Sequence, residues 1–249
     1  MRQSADVVVV GAGAVGAACA YFLARAGLSV QVVERGSVAG GTSSACEGNL
    51  LVSDKEAGPE LDLALYSRSV WRDDLAEHGP KWEFEAKGGL VVVATEEGAL
   101  TLSALATRQR HAGIEVSDVA GPDLRHYEPH LSPALAAGAF YPQDAQVQPM
   151  LLVAHLLRMA RELGATVQTQ TAVIGVLRDG DRVTGVVTSG GVVAAGAVVN
   201  AAGRGRATSP RWRTSVSPSC PDAGSCSSPS RCPRSCGTRS MPASTSQES

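Results

Sequence analysis

The sequence predicts an α/β fold, and three observations within residues 6–49 carry that prediction. Val7-Val8-Val9-Val10 is a β-branched run suited to a strand buried on both faces. Gly11-Ala12-Gly13-Ala14-Val15-Gly16 follows at once in G-x-G-x-x-G spacing, and Val15, Cys19, Phe22, Leu23 and Ala26 then recur at helical intervals up to Gly27. Leu28–Val33 reads as a second strand with Glu34 at its carboxyl end. Strand, glycine turn, helix, strand and terminal acid form one βαβ unit, the start of a Rossmann-like sheet.

Each residue type in the turn has a physical reason. Gly11 allows the tight passage from strand to helix, and Gly13 lets a pyrophosphate approach the backbone. Gly16 lets the helix pack closely on the strand. The unpaired N–H groups and the positive end of the helix dipole hold phosphate charge. Glu34 can accept hydrogen bonds from ribose hydroxyls, and its charge disfavours a 2′-phosphate. A lone G-x-G-x-x-G is also compatible with a structural Gly-rich turn. The complete unit around it argues for a dinucleotide site.

The choice of dinucleotide rests on the next stretch. Gly40-Gly41-Thr42-Ser43-Ser44-Ala45-Cys46-Glu47-Gly48-Asn49-Leu50 is mostly small and hydroxylic. An NAD site has no need of such a run. FAD extends past its pyrophosphate into a ribityl chain and a broad ring, which backbone must approach closely. The alternative is a flexible Gly/Ser loop of the kind common in α/β folds.

With these residues in place, the segment resembles the N-terminus of the D-amino-acid oxidase and glycine oxidase family of FAD-dependent amine oxidoreductases. The resemblance implies that Ala14 and Val15 lie against the pyrophosphate and that Glu34 and Arg35 flank the adenosine ribose. It places Thr42, Ser43, Glu47, Gly48 and Asn49, with Ser44 among them, along the ribityl and isoalloxazine part. It covers residues 5–203.

Composition limits the other classes. A chain of 249 residues has room for one large domain or two interleaved ones. A net charge of −2 argues against nucleic acid or an anionic membrane as partner. No apolar run is long enough for a transmembrane segment. The N-terminus shows no signal-peptide pattern, so the expected location is cytoplasmic. Nothing in the sequence marks an oligomeric state.

The remaining elements follow in chain order. Pro59 to His78 reads as an amphipathic helix with Leu61, Leu65, Val70, Trp71 and Leu75 on its apolar side. Residues 82–95 read as two short strands around Lys87-Gly88-Gly89, and Glu96–Ala112 as a helix. Residues 113–149 offer little regular structure beyond turns. His126 and His130 are four apart, but no third ligand accompanies them, so surface or hydrogen-bonding roles are expected and no metal site. Met150–Leu163 reads as a helix with Leu151, Leu152, His155, Leu156, Met159 and Leu163 on its apolar side, ended by Gly164. Ala165–Thr169, Val173–Leu177, Arg182–Thr188, Val192–Ala195 and Ala197–Val199 read as strands, with a tight turn at Asp179-Gly180. Asn200-Ala201-Ala202-Gly203 closes the pattern. In the resembled family the position of Val173 meets the adenine, and the turn of Ala202 and Gly203 passes close to the cofactor. An ordinary strand role for Val173 stays open.

The tail from Arg204 has a different composition. Its residues include 13 Ser, 7 Arg, 6 Pro and 4 Cys, with no Leu, Ile, Phe or Lys. Such a segment buries too little apolar surface to offset its ordering entropy, so a disordered tail is expected. The cysteines at 220, 226, 232 and 236 fit no common zinc spacing. Read one frame over with GC-rich codons, the tail can spell an amphipathic, strand-like continuation of the family pattern, which points to a frameshift near Gly203–Arg204.

The expected architecture is therefore α/β. A Rossmann-like FAD-binding domain (1–81 and 144–203) is interrupted by an incomplete α+β substrate domain (82–143) and followed by the tail (204–249). The resemblance implies FAD as cofactor and oxidation of a C–N bond of a small amine or amino acid by hydride transfer to flavin. The 249-residue chain itself is expected to be truncated and inactive. No acid/base pair is evident, so no catalytic residue is assigned. Two other readings stay open: a non-catalytic FAD-binding remnant and an NAD-linked dehydrogenase.

Overall fold

Strands and helices alternate through the first part of the chain, four strands in succession close the described part, and a computed structural model describes residues 3–204. Expectations for disorder, zinc and a shifted frame concern the tail and, apart from Arg204, lie outside the described residues. In order come β1 (Gln3–Val10), α1 (Ala14–Arg25), β2 (Val30–Val33), α2 (Thr42–Ala45), β3 (Asn49–Leu50) and α3 (Pro59–Ser69). Helix α3 runs into a π-helical turn, Val70–Asp74, and a 3-10 segment, Ala76–Trp82. Then come β4 (Gly89–Val93), α4 (Glu96–His111), β5 (Ser117–Ala120), a 3-10 turn (Gly121–Asp123), α5 (Leu124–Tyr127), β6 (Ala137–Tyr141) and β7 (Ala145–Gln146). The chain returns through α6 (Pro149–Glu162), β8 (Thr166–Gln168), β9 (Val173–Asp179), β10 (Arg182–Thr188) and β11 (Gly191–Asn200).

The main sheet has six strands in the order β8-β2-β1-β11-β10-β9. The four from β8 to β11 are parallel, and β10 and β9 extend them antiparallel. Strand β1 lies inside this sheet, which explains its unbroken valine run: Val8 and Val9 are fully buried although they point to opposite faces. Helices α1 and α6 pack on the face carrying Val7, Val9, Val30 and Val32.

The buried side of α1 consists of Gly16, Ala17, Ala20, Tyr21 and Ala24. It is not the Val15, Cys19, Phe22, Leu23 stripe expected from periodicity. Val15 is exposed, and the other three are half-buried at the flanks. Small residues win the contact because they let helix backbone approach closely. On α6, Gln148 accepts a hydrogen bond from the Met150 amide and Pro149 occupies the first turn. Its buried residues are Leu152, Val153, Leu156, Leu157, Met159 and Ala160, while Leu163 faces water.

A second, antiparallel sheet in the order β4-β6-β5 packs against α4 through Leu102, Ala106, Ala139 and Tyr141. Val52 and Leu61, from before this sheet, join the same core. Three expectations change here. Residues 82–95 hold one strand rather than two, because Trp82 ends a 3-10 segment and Glu85 makes only an isolated bridge to Gln146. The segment 113–149 contains three strands, including β6, the middle of the second sheet. Its Ala-Gly-Ala opening has low strand propensity, but a side chain at Gly138 would press on Leu124 and the Val91 carbonyl. Finally, 192–195 and 197–199 belong to one ten-residue strand, β11, held along its length by β1.

The burial pattern of α6 gives a direct test. Leu157→Ala is expected to destabilise by about 2–5 kcal/mol, whereas the exposed Leu163→Ala should change stability by less than about 0.5 kcal/mol. Urea denaturation midpoints of the two variants check this.

Candidate functional site

The carboxyl ends of β1, β2 and β11 meet at one edge of the main sheet, where open α/β sheets place ligands. The Gly11 amide donates to the Val33 carbonyl and the Ala201 amide to the Val10 carbonyl, each at 2.9 Å. Gly11 has φ +104°, and a Cβ there would overlap the Ala201 carbonyl oxygen. A Cβ on Gly16 would overlap the Gly11 carbonyl oxygen. These two glycines therefore bring strand, helix and the Ala201–Gly203 turn together. Gly13 differs: a Cβ would stand 3.1 Å from the Ser43 hydroxyl, on the side of the ligand space.

Two side chains organise the polar atoms around this turn. Ser43 Oγ accepts from the Ala14 amide at 3.0 Å, at the first residue of α1. Its own proton is then available to a group in front of it. Glu34 accepts from the Ala12 amide through Oε2 at 2.9 Å and from the Gly36 amide through Oε1 at 2.7 Å. Its carboxylate thus clamps the glycine turn, and each oxygen keeps a lone pair for a hydroxyl.

The resulting cleft has a volume of about 500 Å³. Gly11, Gly13, Ala14, Val15, Glu34, Arg35, Thr42, Ser43, Ala202 and Gly203 all line it. Gly36, Ser37, Ala201 and Arg204 line it as well. The signal for Gly36 and Ser37 was their place directly after the acid that ends β2. Gly16 lies behind the turn. Ser44 and Glu47 open on a neighbouring pocket of about 250 Å³, which shares Ser43 with the cleft and also carries Glu83 and Glu85. Asn49 donates to Glu47 at 3.1 Å and faces a third cavity of about 350 Å³. Gly48 is buried at φ +84°, where a Cβ would overlap the Val147 carbonyl oxygen, so its place is a packing contact. Val173 opens β9 opposite Thr188, half-buried and outside the cleft lining.

The cleft suits the adenosine diphosphate part of a dinucleotide. Glycines floor it, helix amides open on it, a carboxylate stands at the end of β2, and Arg35 and Arg204 add positive charge. Other candidates for chemistry are absent from it. Burial pushes the Cys19 thiol up, away from the thiolate form, and the side chain is half-buried at the flank of α1. Cys46 is exposed and donates to the Ser43 carbonyl at 3.5 Å. His126 and His130 are exposed, and no cluster of three metal-ligating side chains occurs among the described residues.

Comparison with known proteins agrees with this geometry. Residues 6–219 match the family described as FAD dependent oxidoreductase, a match that extends past Gly203. The glycine oxidase of Geobacillus kaustophilus is 34% identical, with 82% of this chain and 55% of that protein covered. One component of the anaerobic glycerol-3-phosphate dehydrogenase of Escherichia coli is 30% identical over 74% of this chain and 33% of its own length. The crystal structure of the Geobacillus kaustophilus glycine oxidase superposes with a TM-score of 0.75 at 32% identity, covering 81% of this chain and 56% of that one. The chain thus spans little more than half the length of this oxidase and a third of the dehydrogenase component.

Two outcomes follow from the site. Gly13→Val puts methyl groups into the ligand space beside Ser43, and overpacking of about 1–3 kcal/mol should weaken flavin binding roughly five- to 150-fold. Visible flavin absorbance after gel filtration measures it. Cys46 is expected to hold no covalent flavin, so acid precipitation should release all the colour into the supernatant; a yellow pellet contradicts this.

Proposed function

The chain belongs to the FAD-dependent oxidoreductase family, and from that premise we propose that it serves oxidation of a C–N bond in a small amine or amino acid. The observation that carries the cofactor part is the alignment of the Ala14 amide, the Ser43 hydroxyl and the Glu34 carboxylate along one cleft. The family's dependence on FAD sets the NAD-linked reading aside. Similarity to a glycine oxidase supports an amino acid or amine as substrate.

The residues divide the work as follows. Gly11 and Gly13 keep the turn free of side chains, and Ala14 and Val15 lie against the pyrophosphate. Ser43 receives the Ala14 hydrogen bond and directs its hydroxyl proton toward the phosphate side. Glu34 and Arg35 hold the ribose, and the Ala202-Gly203 turn closes the opposite wall. Thr42 to Asn49 lead from there toward the ribityl and ring positions. FAD, when bound, supplies the electron acceptor for the oxidation. Residues 1–81 and 144–203 are proposed to form the cofactor domain and 82–143 part of a substrate domain, in a cytoplasmic protein. No helix among the described residues is long and apolar enough to cross a membrane.

The 249-residue chain, spanning about half of its oxidase relative, is proposed to hold FAD without turnover by itself. The purified chain should be yellow and give no peroxide, imine or dye reduction with glycine, sarcosine, D-amino acids or proline. Robust turnover of any of these would overturn the inactivity, and a colourless chain that takes up no added FAD would overturn the cofactor assignment.

A further inference from the structure

The second sheet ends on one side at β4, and no strand among the described residues pairs with its outer edge. Such an edge carries backbone amides and carbonyls ready to pair with another strand. The other outer strands of the two larger sheets carry polar or charged side chains that discourage this: Thr166 and Gln168 on β8, Arg178 and Asp179 on β9, Ser117 and Asp118 on β5. Strand β4, Gly89-Leu90-Val91-Val92-Val93, has neither a polar side chain nor a proline. It pairs with β6 from Gly89 to Val93 without a register shift, so it is regular along its length. Val91, at its centre, is exposed.

An open groove of about 370 Å³ lies beside the same strand. Val93, Leu102 and Leu105 supply its apolar surface, and Thr95, Glu97 and Thr101 its polar groups. No residue of β5 or β6 lines it, so it lies on the β4 side of the sheet. The charges at the two ends of β4 are opposite. Lys87 precedes the strand, exposed, and Glu96 and Glu97 follow it on the first turn of α4, also exposed. Lys87 stands 3.7 Å from Glu85, a loose pair, and donates to Gln146. Neither Glu96 nor Glu97 makes an ion pair among the described residues.

We propose that β4 docks antiparallel on β4 of a second copy of this chain, which joins two three-stranded sheets into one across a two-fold axis at Val91. Antiparallel order about Val91 sets Lys87 of each copy opposite Thr95 of the other, next to Glu96 and Glu97. Parallel order would set lysine against lysine and acid against acid. The aliphatic stem of Lys87 then covers the groove of Val93, Leu102 and Leu105, and its ammonium group reaches the acids. A contact of this kind closes on itself, so it produces a dimer and leaves no β4 edge from which a fibre could grow.

Sedimentation velocity of the full 249-residue chain over a range of concentrations tests the pairing. A reversible monomer–dimer equilibrium is expected. Lys87→Glu brings like charges together twice across the two-fold axis, and so does the double variant Glu96→Lys, Glu97→Lys. Each should weaken the dimer about tenfold or more. In an equimolar mixture of the two, both contacts again join opposite charges, and a dimer of roughly the parent affinity should return. Val91→Lys sets two ammonium groups side by side on the axis and should leave a monomer whose circular dichroism matches the parent. If that variant does not fold, the charge-exchange mixture decides. A parent chain that stays monomeric, a dimer indifferent to both charge variants, or a mixture without rescue overturns the proposal. In a monomeric parent, protection of the Leu90–Val93 amides from hydrogen exchange would show another segment of the chain on the edge, which also excludes the dimer.

Discussion

The close approach of three backbone segments around Gly11 is the constraint on which the rest of the site depends. The Ala201 carbonyl stands where a Cβ on Gly11 would be, and the Gly11 carbonyl where a Cβ on Gly16 would be. Strand β1, helix α1 and the turn after β11 can converge only with hydrogen atoms at those two positions. That convergence sets the width of the cleft and the direction of the α1 amides. It also joins residues nearly two hundred positions apart in sequence, so the cleft is complete only when β11 has paired with β1. Forming that parallel pair requires closing the intervening loop first, a cost in chain entropy that local helix contacts do not carry.

Buried polar groups, together with the apolar contact of Val52, fasten the second sheet to the loop after β3. Asp144 is nearly fully buried and accepts from the Val52 and Ser53 amides at 2.8 and 3.2 Å. Gln109, also buried, donates to the Ser53 and Lys55 carbonyls and accepts from the Tyr141 hydroxyl at 2.8 Å. Each group would be costly to bury alone, and together they satisfy one another. Lys55 reaches the cavity beside Asn49 from a loop whose backbone is pinned at Val52, Ser53 and Lys55 itself.

The sequence made the cofactor half legible because its constraints are local and categorical. A valine run, glycines at fixed offsets and an acid at a strand end each have few physical alternatives, and Gly11, Gly13, Glu34 and Ser43 line one cleft. Periodicity was less reliable where the packing partner decides. On α1, alanine and glycine face inward because the partner is close, and the larger Phe22 and Leu23 are displaced to the flanks. Strand β6 escaped notice because its Ala-Gly-Ala opening has little propensity of its own and becomes a strand between two neighbours. Val173 and Asn49 were placed at the cofactor by resemblance. Val173 lies on the edge strand β9 and Asn49 beside a separate cavity, positions that depend on tertiary geometry no spacing encodes.

The π-helical turn at Val70–Asp74 acts as a phase adjuster in the chain. An α-helix advances about 100° per residue, so one residue more or less at this point would swing everything after it by that angle. Two couplings read the phase from different sides: the Trp71 stack on Phe84, and the Asp74 carboxylate on Arg25 at the end of α1, at 2.8 Å. A single-codon deletion here would leave composition and hydropathy almost unchanged, yet it would uncouple that aromatic pair from the helix that carries the cofactor turn. Insertions and deletions are thus far less tolerable in this short turn than at the exposed Glu56-Ala57 ahead of α3.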